Sequence, residues 1–330
     1  MTTLVTGATG FVGSAVVRRL LEVGHSVRVL IRSESQLDNL DGLSVEKRVG
    51  DLRDRSSLDE AVRGCESLFH VAADYRLWSR NPQDLYDINV DGTLNILRAA
   101  ADAGVSRMVY TSSVATVGIR EDGVESDEET LVTLDAMVGH YKRSKFIAER
   151  EVRLLAKTQH LPIIVVNPST PLGPRDIKPT PTGRIVVKAA AGRMPAFVET
   201  GLNLVHVDDV ADGHLFAHDK GRPGERYILG GENWSLQEIL VEIANLTNRK
   251  PPNIRLNADF VLPLAYVAQG WAYLTRARRE PLMTVDGVKM SRHVMFFSSK
   301  KARDYLGYRP RPSREALSDA VMWFKENGYF

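Results

Sequence analysis

Short apolar runs alternate with stretches of helical periodicity over the first half of this 330-residue chain. The apolar runs cover residues 3–5, 27–31, 45–49, 67–71, 108–111 and 162–166. The helical stretches cover residues 14–21, 85–103 and 141–157. Such alternation is typical of parallel strands joined by crossover helices, so we predict an α/β fold with a doubly wound parallel sheet.

A glycine-rich turn joins the first predicted strand to the first predicted helix. Glycines at this place let the backbone turn tightly and let its N–H groups approach a pyrophosphate at the amino terminus of the helix. An ordinary strand-turn-helix connection is the alternative interpretation of the spacing alone. Because a strand precedes the turn and a helix follows it, we predict a dinucleotide site. Its predicted residues are Gly7, Thr9, Gly10, Phe11, Val12 and Gly13.

The rhythm changes after residue 167, where prolines stand at positions 168, 171, 174, 179 and 181. Helices are predicted there at residues 184–191, 209–218, 235–247, 262–276 and 314–326, with a strand at 204–207. We therefore predict two domains. A Rossmann domain covers residues 1–170 with a return segment at about 203–230, and a smaller substrate domain covers 171–202 and 231–330.

Composition narrows the class of protein. The chain is 43% hydrophobic, which is ample for a core, and its formal net charge of +2 predicts no nucleic-acid partner. Cys65 is the single cysteine and is expected to be a packing residue in a reducing compartment. No signal-peptide pattern precedes the first strand, so we expect a cytoplasmic protein. No metal site is predicted.

The longest uncharged segment, residues 260–275, is shorter than the roughly 20 residues that span a bilayer, so no transmembrane segment is predicted. A buried core helix is the simpler interpretation of this segment. The alternative is peripheral contact with anionic lipid, aided by Arg276, Arg278 and Arg279.

Candidate chemistry comes from Tyr141 and Lys145, which lie four residues apart and therefore on one face of a predicted helix. A tyrosine with its ordinary pKa of about 10 is a poor acid or base near neutrality, but a nearby cation stabilises the phenolate and lowers the pKa. A solvated helix face is the alternative. Ser112 and Ser113 end a predicted strand, at the sheet edge where ligands bind, so their hydroxyls are candidates to hold a substrate oxygen.

The glycine turn, the serine pair, the Tyr141-x-x-x-Lys145 spacing and residues 167–174 together resemble the extended short-chain dehydrogenase/reductases over nearly the whole chain. Within that superfamily the chain is most similar to the dihydroflavonol-reductase-like branch. It resembles especially the bacterial hopanoid-associated sugar epimerases, because residues 74–78 (Asp-Tyr-Arg-Leu-Trp) are similar to a segment of those proteins.

The resemblance implies roles for individual residues. Tyr141 would be the general acid/base, Lys145 its pKa-lowering partner and a ribose ligand, and Ser113 a hydrogen-bond donor to the reacting oxygen. Asn89 would support the lysine through water, with ordinary helix packing as the alternative, and His70 would be structural. The further residues that the resemblance places around the cofactor are Asp51, Leu52, Val71, Ala72, Ala73, Thr111, Pro168, Ser169 and Thr170.

The choice of cofactor follows from the end of the second predicted strand. An acid there would bind a ribose 2′-OH and repel a 2′-phosphate, whereas Arg32 and Ser33 offer a cation and a hydroxyl. We therefore favour NADP(H). NAD(H) is the alternative, because Glu34 follows immediately.

Reduction of a carbonyl and epimerisation of a sugar both fit the same catalytic residues. Nucleotide-sugar epimerases typically carry Tyr-Gly and Asn-Val-Tyr-Gly-Pro where this chain has Val117-Gly118 and residues 170–174 (Thr-Pro-Leu-Gly-Pro). These departures favour an NADP(H)-dependent reductase, with an epimerase as the alternative. A cofactor-sensing binding protein, the alternative of another class, would lack catalytic residues, and none is missing.

Substrate and partners are the least determined by the sequence. The resemblance suggests Tyr75, Trp78, Arg184 and His206 as pocket residues, although each has an ordinary core or surface interpretation. An isoprenoid or glycolipid substrate, linked to hopanoid metabolism, would suit the apolar segment after residue 260. The resemblance also implies a homodimer through a four-helix contact.

Overall fold

The computed structural model describes residues 2–120, 123–275 and 284–330. The strands are β1 Thr2–Thr6, β2 Ser26–Ile31, β3 Glu46–Val49, β4 Ser67–His70, β5 Arg107–Thr111, β6 Ile163–Pro168, β7 Thr170–Leu172, β8 Ala196–Val198, β9 Gly201–His206, β10 Arg226–Leu229, β11 Glu232–Ser235, β12 Ile254–Leu256 and β13 Val294–Met295. The helices are α1 Phe11–Glu22, α2 Arg55–Val62, α3 Gln83–Tyr86, α4 Thr93–Asp102, α5 Gly139–Thr158, α6 Pro181–Ala190, α7 Val207–Lys220, α8 Leu236–Leu246, α9 Ala258–Leu274, α10 Val285–Met290, α11 Lys300–Leu306 and α12 Ser313–Glu326.

The main sheet has seven parallel strands in the order β10-β6-β5-β4-β1-β2-β3. The strand order reverses direction between β1 and β4. In a doubly wound sheet this switch point, at the carboxyl ends of the strands, opens a crevice for ligands. The predicted α/β fold with a doubly wound parallel sheet is confirmed.

The two faces of the sheet are covered by different helices because successive residues of a strand point to opposite faces. On one face Val5, Val29 and Phe69 pack with apolar residues of α1, α7 and α11. On the other face Leu4 and Leu68 pack with α2, α4 and α5. Apart from β3, whose residues are exposed, the sheet is therefore a buried middle layer, and a site can form at the ends of its strands. Cys65 lies buried in the second core, as expected of a packing residue.

A second layer forms beside the carboxyl edge of the main sheet. Strand β9 pairs antiparallel with β11 and parallel with β7 and β13. Apolar residues of α6, α8 and α12 pack against this small sheet. The chain returns to the main sheet through α7, which covers its face, and β10, which pairs with β6. The boundary between the two predicted domains remains a prediction.

The helix predicted at residues 85–103 is divided into three parts. Helix α3 is followed by a π-helical segment, Asp87–Gly92, and then by α4. A π segment inserts extra backbone into a helix and often occurs at functional sites. Here it carries Asn89, so the irregular backbone sets the direction of that side chain.

Helix α9 differs from its sequence-based interpretation. Its buried residues are mostly small, namely Ala258, Val261, Ala265 and Ala272. The large apolar side chains are exposed, so the prediction of a core helix is wrong for them. They are Phe260, Leu264, Tyr266, Val267, Trp271 and Leu274. No helix in the described parts of the chain is long and apolar enough to cross a membrane.

Candidate active site at the switch point

The glycine turn lies against the end of β4, and two of its glycines have no room for a side chain. Gly7 has a φ of +71°, and a Cβ atom there would lie 2.6 Å from the backbone nitrogen of Ala72. A Cβ atom on Gly13 would lie 2.1 Å from the carbonyl oxygen of Gly7. The turn, the first turn of α1 and the strand end 71–73 are therefore in close backbone contact, as predicted for a phosphate cradle.

The amino terminus of α1 fits an anionic ligand. Gly10 is the N-cap residue, and within the described chain no side chain caps the helix and no acidic residue lies in its first turn. The first N–H groups of a helix have no partner inside the helix, and the helix dipole favours negative charge at this end. This arrangement fits the pyrophosphate of a dinucleotide.

The end of β2 holds the residues predicted to choose the cofactor. The Arg32 guanidinium pairs with the Glu34 carboxylate at 3.3 Å, and the Ser33 hydroxyl donates to the same carboxylate at 3.1 Å. Arg32 is mostly exposed and is therefore free to exchange this partner for a ligand phosphate. Asp51 lies beside these residues, and Arg53 holds the pKa of its carboxyl at about 2.

Tyr141 and Ser113 meet at the carboxyl edge of the sheet. Ser113 follows the end of β5, Tyr141 lies at the start of α5, and the Ser113 side chain is near enough to the Tyr141 phenol to act on its pKa. The backbone of Ser113 is fixed as well, because its carbonyl accepts a hydrogen bond from Asn167 at 3.0 Å. The structure thus brings together two predicted catalytic groups that lie 28 positions apart in the sequence.

Lys145 is buried one helical turn after Tyr141, and its ammonium is engaged elsewhere. It donates to the Tyr110 hydroxyl at 3.1 Å and to the Thr111 carbonyl at 2.9 Å. Burial lowers the pKa of Lys145 to about 8, while Glu149 acts in the opposite direction. Thr111 therefore binds the lysine through its backbone, and its hydroxyl is hydrogen-bonded to His214 at 2.9 Å.

The expected lowering of the Tyr141 pKa by Lys145 does not occur in this structure. Burial raises the pKa of Tyr141, because an ionised phenol is disfavoured away from water. The nearby Ser113 side chain acts against this rise in pKa, and the charge of Asp74 adds to it. The physical reason is that the lysine ammonium is bound to Tyr110 and Thr111. The phenol of Tyr141 is therefore neutral near neutral pH.

Asn89 holds the backbone of the site. Its side chain donates to the Asp74 carbonyl at 2.8 Å and to the Ser144 hydroxyl at 3.0 Å, and it accepts from the Asp74 N–H at 2.8 Å. The Ser144 hydroxyl in turn donates to the Tyr141 carbonyl at 2.8 Å. Asn89 thus ties the loop after β4 to the helix that carries Tyr141.

His70 has the structural role that was expected. Its ring nitrogens are hydrogen-bonded to the hydroxyls of Thr6 at 2.7 Å and Thr93 at 2.9 Å. Burial, followed by the charge of Lys145, lowers the pKa of His70 to about 3. The imidazole is therefore neutral, and its two ring nitrogens link β4 to β1 and α4 by hydrogen bonds.

Other predicted cofactor residues lie along the same edge. Pro168 ends β6, and the Ser169 N–H donates to the Leu229 carbonyl at 3.1 Å. The Ser169 hydroxyl is buried and has no hydrogen-bond partner among the described residues, as expected of a group that binds a ligand. Leu52 follows β3 and contacts the π segment near Gly92, and Thr170 begins β7.

Among the four predicted substrate residues, the structure links Tyr75 with Arg184. Tyr75 and Arg184 interact electrostatically with each other and with the buried Asp176. Trp78 is nine-tenths buried. His206 is buried too, caps α7 by accepting from the Asp208 N–H at 3.0 Å and bonds Asp319 at 3.2 Å. The suggestion that His206 lines a pocket is not supported, because both ring nitrogens serve the helix junction.

Three residues with evident roles were not found by sequence reasoning. Tyr110 is a hydrogen-bond partner of Lys145, and Asp176 is a buried carboxyl whose pKa burial raises to about 6. Glu149 binds Thr116, Asn167 and Arg226 at 2.6, 2.8 and 2.9 Å. For Glu149 a signal existed, because it continues the four-residue spacing of Tyr141 and Lys145 along one face of α5.

Comparisons with known proteins agree with this site. The family model described as NAD dependent epimerase/dehydratase family matches residues 3–230. A putative dihydroflavonol 4-reductase of Synechocystis is 46% identical over 329 residues, covering 98% of this chain and 95% of that protein. Sterol demethylase protein B of Methylococcus capsulatus is 37% identical over 328 residues, covering 99% of each.

A solved structure supports the same relationship. The crystal structure of gox2253 superposes with a TM-score of 0.90 at 50% identity and covers 100% of this chain and 99% of that one. The chain that carries the glycine turn, Ser113, Tyr141 and the seven-stranded sheet is thus similar to these proteins over nearly its whole length. The chain belongs to the NAD dependent epimerase/dehydratase family of extended short-chain dehydrogenase/reductases, within its dihydroflavonol-reductase-like branch.

Proposed function

We propose that the protein is an NADP(H)-dependent oxidoreductase that interconverts a ketone or aldehyde and the corresponding alcohol. The observation that carries this proposal is that the Ser113 side chain and the Tyr141 phenol lie near each other at the carboxyl edge of the sheet, beside the switch point. A hydroxyl and a phenol at this position can both bind one carbonyl oxygen. When bound, the nicotinamide supplies or accepts the hydride.

The proton chemistry belongs to Tyr141. Because burial raises its pKa, the phenol carries its proton near neutral pH and is ready to donate it to a carbonyl oxygen that gains negative charge. Ser113 donates a second hydrogen bond to that oxygen. The same group serves both directions of the proposed reaction, since the phenol donates a proton in carbonyl reduction and the phenolate accepts one in alcohol oxidation.

The preference for NADP(H) rests on Arg32 and Ser33 at the end of β2. Their guanidinium and hydroxyl are suited to a 2′-phosphate, since charge-assisted hydrogen bonds from arginine to phosphate are strong. Glu34 holds both side chains in the structure, and we propose that a 2′-phosphate replaces it.

Substitution of Arg32 tests the cofactor preference. Arg32→Ala is expected to weaken NADPH binding by about tenfold or more and NADH binding by about twofold at most, because only NADPH carries the 2′-phosphate. Fluorescence titration with each cofactor measures this. Arg63→Ala is the matched control, since Arg63 is also exposed but follows α2 at the opposite edge of the sheet. Equal weakening of both cofactors by Arg32→Ala would contradict the assignment.

For the substrate we propose a carbonyl group on an apolar, isoprenoid-like molecule. The relative from Methylococcus capsulatus carries the name of a sterol-modifying protein, and this chain exposes the apolar face of α9. Tyr75, Arg184 and the buried Asp176 form the polar group of the second layer that we assign to substrate binding.

We further propose that the exposed face of α9 contacts an anionic membrane surface. Phe260, Leu264, Val267, Trp271 and Leu274 recur every three or four residues and therefore form one stripe. The residues that follow α9 in the sequence carry Arg276, Arg278 and Arg279, which lie outside the described residues. An apolar helix face with cationic flanking sequence is typical of helices that lie in the lipid interface.

Flotation with lipid vesicles tests this contact. The protein is expected to float with vesicles of anionic lipid and less with neutral ones, and the double variant Val267→Ser, Trp271→Ser is expected to lose at least about tenfold in partitioning, because two apolar anchors are removed. Leu131→Ser is the control, since Leu131 is an isolated exposed leucine. Failure of the unmodified protein to float would overturn the membrane proposal.

Activity assays test the oxidoreductase itself. Incubation with NADPH and a set of ketones and aldehydes, including isoprenoid ones, is expected to consume NADPH in proportion to the alcohol formed. Incubation with UDP-sugars is expected to leave them unchanged. Interconversion of a UDP-sugar without net consumption of cofactor, together with no carbonyl reduction, would identify an epimerase instead.

A further inference from the structure

Lys145 has an unusual setting for a lysine that is expected to bind a cofactor. Its side chain is 2% exposed, and two of the three donors of an ammonium group are bound to Tyr110 and Thr111. The Thr111 carbonyl belongs to the backbone of β5 and would be present with any residue there. The Tyr110 hydroxyl is different, because it depends on the side chain.

Tyr110 is itself held in place by buried hydroxyls. It is fully buried, and the side chains of Ser112 and Thr93 lie near its hydroxyl. Thr93 binds one ring nitrogen of His70, whose other ring nitrogen binds Thr6. The imidazole is nearly parallel to the Tyr110 ring, with 5.8 Å between the ring centroids. A row of buried polar groups thus runs from β1 to the lysine.

We propose that Tyr110 is a positioning residue, whose buried hydroxyl orients the Lys145 ammonium and leaves one N–H donor for the cofactor. That the remaining donor binds a cofactor rests on the proposed function. The hydrogen bond between Lys145 and Tyr110 is seen in the structure and does not depend on that function. Phenylalanine at position 110 would keep the ring and remove the only side-chain acceptor that Lys145 has among the described residues.

The electrostatic surroundings of Lys145 decide the direction of the expected effect. The groups that act on it are Glu149 on its own helix, Tyr110 on β5 and the neutral His70 on β4, while Tyr141 lies one turn earlier on the helix. Of these only Glu149 carries a negative charge, and Glu149 is already shared with Arg226. Loss of the Tyr110 acceptor therefore disfavours the ammonium form and lowers the pKa of Lys145 further.

The test compares Tyr110→Phe with a matched variant, Tyr227→Phe. Tyr227 is also buried in the same sheet and its hydroxyl accepts a hydrogen bond from the Arg222 N–H at 3.1 Å, but it lies on β10, away from the lysine. The first readout is a carbon-13 NMR titration of lysine side chains in the unliganded protein, with Lys145 assigned by comparison with Lys145→Arg. The second readouts are NADPH affinity and the pH profile of kcat/KM.

In Tyr110→Phe the pKa of Lys145 is expected to fall by about one unit, since a hydrogen bond to a charged group is lost. The alkaline limb of the kcat/KM profile should move to lower pH in the same way, and the Kd for NADPH should rise by about tenfold. Tyr227→Phe should leave all three unchanged. If Tyr110→Phe fails to fold, Thr93→Val, which removes a hydroxyl beside the phenol, is expected to shift the Lys145 titration in the same direction by a smaller amount.

An unchanged Lys145 titration in Tyr110→Phe, or in Thr93→Val if that variant replaces it, would overturn the inference. The titration needs no substrate. The role of Tyr110 and the oxidoreductase activity are therefore tested independently of each other. A protein that reduces carbonyls but shows no shift contradicts only the role of Tyr110. A protein that shows the shift but reduces no carbonyl contradicts only the oxidoreductase.

Discussion

Tyr141→Phe is expected to lower kcat for carbonyl reduction by about a thousandfold, because it removes the proton donor and little else. The ring that packs between α5 and the end of β5 is kept. Affinity for NADPH should stay within about threefold of the unmodified protein, since Phe and Tyr fill the same volume. Steady-state kinetics with the best carbonyl substrate, together with fluorescence titration of NADPH, measure both quantities.

Tyr227→Phe is the control for this variant too, because it removes a buried tyrosine hydroxyl from the same sheet at a distance from the switch point. Its kcat should be close to that of the unmodified protein. If Tyr141→Phe retained more than about a tenth of the activity, the phenol could not be the main proton donor. A large loss of NADPH affinity would instead indicate that Tyr141 acts mostly through cofactor binding.

The second large effect is expected from Gly13→Ala. The added methyl group would lie 2.1 Å from the Gly7 carbonyl oxygen and 2.6 Å from its carbon, and neither belongs to a flexible side chain. The turn must open, which moves the N–H groups meant for the pyrophosphate. We expect a loss of about 3 kcal/mol in the free energy of unfolding and about a hundredfold in NADPH affinity, measured by denaturant unfolding and by titration.

Gly270→Ala provides the matched control. Gly270 is also inside a helix, α9, but apart from its chain neighbours and the nearby backbone of α9 itself no described atom lies within 4 Å of a Cβ built there. Alanine should therefore stabilise the protein by up to about 1 kcal/mol through its better helix propensity and leave NADPH affinity unchanged. Unchanged stability and cofactor affinity in Gly13→Ala would contradict the claim that the glycine turn has no room for a side chain at Gly13.

Much of the main sheet could be predicted because its strands are buried on both faces. Continuous apolar runs such as the one that became β6, Ile163–Pro168, are what such strands require. The glycine turn was predictable for a similar reason, since close approach of two backbones admits no side chain at Gly7 and Gly13. The meeting of Ser113 and Tyr141 followed once both were placed at the carboxyl edge of a parallel sheet.

Other features depended on contacts that the sequence does not show. Spacing placed Lys145 on the same helix face as Tyr141, but the acceptors on β5 decided where its ammonium binds. The π segment that carries Asn89 looked like ordinary helix, because its apolar pattern continues into α4. His206 resembled a pocket residue in sequence, and only the position of Asp208 and Asp319 showed that it joins two helices.

Helix α9 shows a limit of hydrophobicity as a guide to burial. Its sequence is apolar nearly all round, which usually indicates a core position. The protein buries mainly the small residues, such as Ala258 and Ala265, and leaves Phe260 78% and Trp271 67% exposed. Sequence alone did not show which side would pack against α10 and β8, because both sides are apolar.

The central claim is that Tyr141 protonates a carbonyl oxygen while hydride moves between the substrate carbon and the nicotinamide. The most direct test supplies NADPH deuterated at the transferred position and follows the label by mass spectrometry in the unmodified protein and in Tyr141→Phe. The account predicts one deuterium on the new alcohol carbon for each NADPH oxidised, and the same product formed about a thousandfold more slowly by the variant. Absence of label from every alcohol product, or equal rates for the two proteins, would contradict it.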